Sequence, residues 1–198
     1  MGIPSLFRNL IKENQQLLSK KIGTCDCLYL DFNCLIHYVA HREKFDSSMS
    51  MYDKEEQVIT NVIKYTRHIV NDVVCPKELV YIAIDGPVPM SKMCKQRERR
   101  YKKHFDEYME SKMYDSFQCI KEKGIDSNVI SPCTPFMMRL HERIRSMISL
   151  RVFQTKRVIC SDSSEPGEGE FKIFEHIRSE SPKPTIVYGL DADLIVLC

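Results

Sequence analysis

Leu79-Val80-Tyr81-Ile82-Ala83-Ile84-Asp85 is a short apolar run, rich in β-branched and aromatic residues, that stops on a carboxylate. That composition suits a strand in a covered sheet. Gly86-Pro87-Val88-Pro89 turns the chain directly afterwards. Upstream, Val58, Ile59, Val62, Ile63, Ile69, Val70, Val73 and Val74 recur at helical spacing, and Cys75-Pro76 ends the pattern. Asp53 with Glu56 predicts a capping box at the start of this helix. The same order of strand, carboxylate and helix is found on either side. Cys27-Leu28-Tyr29-Leu30 closes on Asp31, and a helix is expected over 33–41. A strand over 157–160 leads through a loop to a helix over 170–179, and Thr185-Ile186-Val187-Tyr188-Gly189-Leu190 leads to Asp191 and Asp193. The alternation predicts an α/β fold with a mostly parallel sheet covered by helices.

The remaining stretches fill in around this frame. Pro4 suits the first turn of a helix whose stripe is Leu6, Phe7, Leu10, Ile11, Leu17 and Leu18, broken by Gly23. Residues 45–51 read as a Ser-rich loop. A long charged helix is expected over 90–123, stopped by Gly124. A further helix carries Phe136, Met137, Leu140, Ile144, Met147 and Ile148 on one face. With 198 residues the chain is expected to be one domain, 1–198. It stops at Leu194-Ile195-Val196-Leu197-Cys198, an apolar run without a polar ending, which predicts a sequence incomplete at the C-terminus.

The net charge of +2 does not by itself imply nucleic acid. Nine cysteines without a CxxC pair predict free thiols in a reducing compartment, not a zinc knuckle. No run approaches the roughly 20 apolar residues of a membrane span. A polar start argues against a signal peptide, and Leu6 breaks the myristoylation pattern after Gly2. The expectation is an intracellular protein of cytoplasm or nucleus, with no membrane partner.

Four acidic groups mark one end of the expected sheet: Asp31, Asp85, the pair Glu168 and Glu170, and the pair Asp191 and Asp193. Ligands of open α/β sheets bind outside the carboxyl ends of the strands. Carboxylates gathered there repel one another unless a cation neutralises them. Oxygen-only ligands favour Mg²⁺ or Mn²⁺. Glu168 and Glu170 can serve one site only if the Gly167-Glu168-Gly169 segment is irregular, and Asp191 and Asp193 share a face if extended. Each group has an ordinary alternative: acids favoured at a helix N-terminus, or a cap. Asn33 is either such a cap or a tie for the loop.

The second signal is basic. Lys92, Gln96, Arg99, Arg100 and Lys103 fall on one helix face that begins soon after Asp85. A solvated charged face is the ordinary reading of such a run. A compact basic pocket beside carboxylates instead suits a terminal phosphate. His37 lies one turn beyond Asn33, towards the same mouth.

These residues resemble a known family. Met1-Gly2-Ile3-Pro4, Leu30-Asp31-Phe32-Asn33 with Ile36-His37, Ile84-Asp85-Gly86, Lys92-Met93, Gln96-Arg97-Glu98-Arg99-Arg100, Glu165-Pro166-Gly167-Glu168-Gly169-Glu170 and Gly189-Leu190-Asp191-Ala192-Asp193 are similar, in order, to the N-terminal catalytic region of the XRN-type 5′→3′ exoribonucleases. The resemblance implies a PIN/FEN-like nuclease core and a Mg²⁺ cluster of Asp31, Asp85, Glu168, Glu170, Asp191 and Asp193. It implies a 5′-monophosphate pocket of Lys92, Gln96, Arg99 and Arg100, with His37 stacking on the terminal base. It implies an N-terminal segment, from Gly2, near the active site. Phe171 replaces a usual His, and Cys34 a usual Gly. The family's region continues further, with another metal carboxylate and an aromatic partner for the base, so a missing catalytic segment or partner chain is expected. The implied activity is hydrolysis of single-stranded RNA from a 5′-monophosphate end, in RNA decay or processing. Its rivals are a truncated, inactive remnant that binds RNA ends or another protein, and a flap-type structure-specific endonuclease.

Overall fold

The computed structural model describes residues 6–19, 21–46, 48–117 and 124–198, without the side chains of 103 and 114–117. Gly2, Pro4, the Lys103 side chain and the expected end of the charged helix lie outside the described residues. Four strands form one sheet: β1 (Cys27–Asp31), β2 (Leu79–Ala83), β3 (Arg157–Ser161) and β4 (Thr185–Tyr188). Their order is β3-β2-β1-β4. Every pairing is parallel, with Leu28 opposite both Val80 and Ile186, and Val80 opposite Val158. The α/β fold expected from the sequence is therefore present, with a wholly parallel sheet among the described residues.

Alternation along the strands divides the core into two layers. Leu28, Leu30, Val80 and Ile82 face α2 (Phe32–Arg42), α3 (Met51–His68) and α5 (Pro135–Ser149). Cys27, Tyr29, Leu79 and Tyr81 face α6 (Gly169–Ser179) and Leu194 of α7 (Asp193–Leu197). The chain moves from β1 outward through β2 to β3, then returns to the other side of β1 for β4. A reversal of direction sends the connecting helix to the opposite face when crossovers keep one hand. The β1/β4 crevice is consequently the switch point, where open α/β sheets bind ligands.

Several local expectations change. Ser50, not Asp53, caps α3: its hydroxyl accepts from Asp53 N–H at 3.1 Å and donates to the Asp53 carboxylate at 2.7 Å. Glu56 is drawn away to Arg139 Nε, 2.9 Å distant. The apolar pattern of this helix runs on through a π-helical turn, Ile69–Val74, which leaves Val73 exposed. Cys75 ends it at φ 50°. At the N-terminus α1 (Leu6–Glu13) buries no residue, and its expected stripe leaves Phe7, Leu17 and Leu18 exposed. At the other end the apolar run is a short helix that buries Leu194 but exposes Val196. No helix of the described residues is long and apolar enough to cross a membrane.

Candidate active site

The six acids, His37, Lys92, Gln96, Arg99 and Arg100 all line one cavity of about 490 Å³ at the carboxyl ends of the strands. β1 delivers Asp31 and β2 is followed by Asp85, so sheet polarity alone brings these two to the same edge. Asp31 is buried and caps α2, with Cys34 N–H at 3.5 Å and Cys34 Sγ at 2.8 Å from its carboxylate. The cap is thus Asp31 and not Asn33. Asn33 instead ties down Asp85: Nδ2 donates to Asp85 Oδ2 at 3.0 Å, and Oδ1 accepts from Asp85 N–H at 3.2 Å.

The Gly-rich turn resolves the spacing of the two glutamates. Gly167 takes φ +109°, a conformation that L side chains rarely adopt. Glu168 is extended and Glu170 is already inside α6, so the two carboxylates leave the chain in different directions yet line the same cavity. Glu168 pairs with Lys92. Gly86 is held against this turn, its N–H donating to Gly167 O at 2.8 Å. A Cβ there would sit 1.7 Å from the Glu165 carbonyl oxygen, so the close approach requires glycine.

Asp191 and Asp193 meet through a turn and not as an extended pair. Ala192 is helical at φ −66° and ψ −20°, and Asp193 N–H donates to Asp191 Oδ1 at 3.1 Å. Oxygens of Glu170, Asp191 and Asp193 lie within 4.8 Å of one another.

The charge balance fits a cation. Burial holds the Asp31 carboxyl above its usual range, with repulsion from Asp191 added. Burial does the same to Asp85, opposed by Gly169 N–H at 2.7 Å and by Lys172. Glu170 is pushed up to about 7 by burial and by Glu168, Asp193 and Asp191, against Lys92. Oxygen donors in mutual repulsion suit a hard cation. Raised carboxyl pKa values mean that the folded chain holds protons the unfolded chain releases. Stability from Glu170 is present at low pH and lost as pH rises through about 7. A metal must displace those protons below that pH. Apparent Mg²⁺ affinity is expected to weaken by up to about tenfold per pH unit below this value. At one fixed, sub-saturating Mg²⁺ concentration, the rise in Tm should be clearly larger near pH 8 than near pH 6. Equal rises would remove Glu170 from the metal site.

α4 (Met90–Phe117) also lines the cavity, with Lys92, Gln96, Arg99 and Arg100. Arg100 Nη2 donates to Ser131 Oγ at 3.1 Å, so the loop after residue 130 backs this helix. His37 also lines the cavity, with its ring 6.2 Å from that of His41.

Two sequence departures find their place. Cys34 is a thiol, its pKa pushed up to about 12 by burial and Asp31, and it supplies a donor to Asp31. Phe171 is exposed and is not part of the cavity lining.

Lys172 is the residue that sequence reasoning missed. It is buried, and its ammonium donates to Ile84 O and to Asp162 O, each at 2.8 Å. The available signal was a lysine beside Ile173 and Phe174 on the buried face of α6.

Comparison with known proteins adds the lineage. The family described as XRN 5′-3′ exonuclease N-terminus matches residues 1–198. The chain belongs to this XRN family. The XRN-family relatives include 5′-3′ exoribonuclease 2 of Schizosaccharomyces pombe, 34% identical, and human 5′-3′ exoribonuclease 1, 33% identical. A third is 5′-3′ exoribonuclease 1 of Schizosaccharomyces pombe, 35% identical. Each comparison covers 100% of this chain, but the chain spans only 24%, 12% and 16% of those proteins respectively.

Proposed function

We propose that these 198 residues form the N-terminal catalytic domain of a 5′→3′ exoribonuclease that removes nucleotides one at a time from 5′-monophosphorylated single-stranded RNA, with Mg²⁺ or Mn²⁺ as cofactor. The observation that carries the reading is the single cavity lined both by six carboxylates and by Lys92, Gln96, Arg99 and Arg100 of α4. Asp31, Asp85, Glu168, Glu170, Asp191 and Asp193 would hold the cation. Bound there, a divalent ion supplies an activated water and a counter-charge for the leaving oxygen.

The chain's own residues do the rest. Arg99 and Arg100 offer fork-shaped donors to a terminal phosphate, and Gln96 adds a neutral donor. Phosphate oxygens compete with Glu168 for the Lys92 ammonium, so substrate binding exchanges one anion for another. Asn33 and Gly169 N–H fix both oxygens of Asp85 before substrate arrives. His37 packs on the first base, which places the first internal phosphodiester against the acids. Release of a mononucleotide leaves a new 5′ phosphate to re-enter the same pocket.

The test is Mg²⁺-dependent mononucleotide release from 5′-monophosphorylated RNA, with 5′-hydroxyl RNA alongside. The phosphorylated strand should be consumed at least about tenfold faster, as expected for loss of a charge-assisted contact worth about 1.5–3 kcal/mol. His37→Ala should slow release without changing Mg²⁺ affinity. Equal rates on both strands would overturn the phosphate pocket. Binding of phosphorylated ends without turnover would make the chain an end-binding remnant. Cleavage of a DNA flap in preference to RNA would favour the endonuclease reading.

A further inference from the structure

Two further cavities lead away from the candidate active site along α2, with no α4 residue in their lining. The first, of about 530 Å³, shares Cys34, His37 and Asp191 with the central cavity and adds Tyr38, His41, Arg42 and Leu190. The second, of about 450 Å³, shares Tyr38 and Arg42 with the first and adds Lys64 and Tyr65. Together they form a continuous path from Asp191 along α2 to the flank of α3.

The path interleaves rings and cations. Arg42 lies over the Tyr38 ring at 5.0 Å and donates to its hydroxyl at 2.7 Å. Tyr38 stacks on Tyr65 with centroids 5.3 Å apart. Arg42, Lys64 and His41 are exposed, and Leu190 is 64% exposed. One carboxylate, Glu43, borders the outer cavity and accepts from Gln57 Nε2 at 2.9 Å. Cations that track a backbone, with rings on which bases stack, are the pattern of sequence-tolerant single-strand binding.

Direction selects the occupant. With the 5′ phosphate held by Lys92, Gln96, Arg99 and Arg100 and the scissile phosphate at the acids, a strand that leaves past Asp191 enters the path, which begins there. We infer that this path carries the second and following nucleotides of the RNA. Arg42 and Lys64 contact phosphates there, and His41 and Leu190 present surfaces to the bases. The inference rests on the proposed polarity of the site.

Binding of 5′-monophosphorylated oligouridylates of two and six nucleotides, in EDTA to prevent turnover, tests it. The hexamer should bind the native protein at least about tenfold more tightly than the dimer, since one stacked base alone is worth about fivefold or more. In an Arg42→Gln, Lys64→Gln variant this ratio should fall by about tenfold. The salt slope for the hexamer should shrink by about 1.4, for two lost phosphate contacts on a single strand. In the native protein alone, the hexamer's salt slope should exceed the dimer's. A native ratio near one, or a ratio and slope unchanged in the variant, would overturn the path. If 5′-hydroxyl oligomers bound as tightly as phosphorylated ones while the length effect and its loss persisted, the phosphate pocket would fail and the path would stand.

Discussion

Under the proposed reaction, replacing Asp191 and Asp193 together by Asn is expected to lower metal-dependent hydrolysis by about 10³-fold or more, the scale of losing preorganised electrostatic groups at a reacting centre. The same change should raise the Tm of the metal-free protein. The argument runs through Glu170, whose pKa of about 7 is set partly by repulsion from these two aspartates. Removing two charges relieves that repulsion. Asn also keeps the oxygen that accepts from the N–H of residue 193, so the turn into α7 persists. The Mg²⁺-induced rise in Tm should shrink at the same time. A merely structural pair would produce the reverse signature, a lower Tm with little change in rate per folded molecule. Thermal unfolding with and without Mg²⁺, beside mononucleotide release, reads all three quantities. A rate within about tenfold of the native protein would remove the pair from the chemistry.

The sheet was legible because its strands are short apolar runs closed by an acid or a turn. β1, β2, β3 and β4 end within two residues of the expected positions. The convergence of Asp31, Asp85 and the later acids followed from strand polarity: once all strands run parallel, every carboxylate at a strand end faces one edge. The α4 face was legible from helical spacing alone. What escaped depends on tertiary competition. Glu56 matches a capping box locally, but Arg139 on α5 takes its carboxylate. Asn33 reads as a cap until Asp31, the last residue of β1, takes that role. Phe7 and Leu17 look like core positions, yet whether a stripe finds a partner is not written in its period. Lys172 escaped for a related reason. A lysine in α6 is ordinary, and only the fold reveals two backbone carbonyls converging on it.

Lys172→Met is expected to be the most damaging single change outside the acidic cluster. Methionine retains most of the aliphatic stem, and with it the packing where Gly167 approaches Cγ and Cε. What disappears is the ammonium. Ile84 O and Asp162 O each lose a donor at 2.8 Å, and Asp85, already raised by burial, loses a compensating charge. Each carbonyl left without its donor costs about 1–3 kcal/mol, so the two together cost about 2–6 kcal/mol. At roughly 2–4 °C per kcal/mol for a domain of this size, even the lower figure lowers Tm by about 4–8 °C. The loss should be smaller in an Asp85→Asn background, because there the ammonium no longer offsets a buried carboxylate. A double-mutant cycle therefore separates the two contributions: coupling of about 1 kcal/mol or more between positions 172 and 85 is the expected result. Additive effects would mean that Lys172 serves only the carbonyls of the β2 end and the loop after β3. A Tm unchanged in the single variant would mean that the ammonium contributes nothing to holding the strand ends beneath the acids.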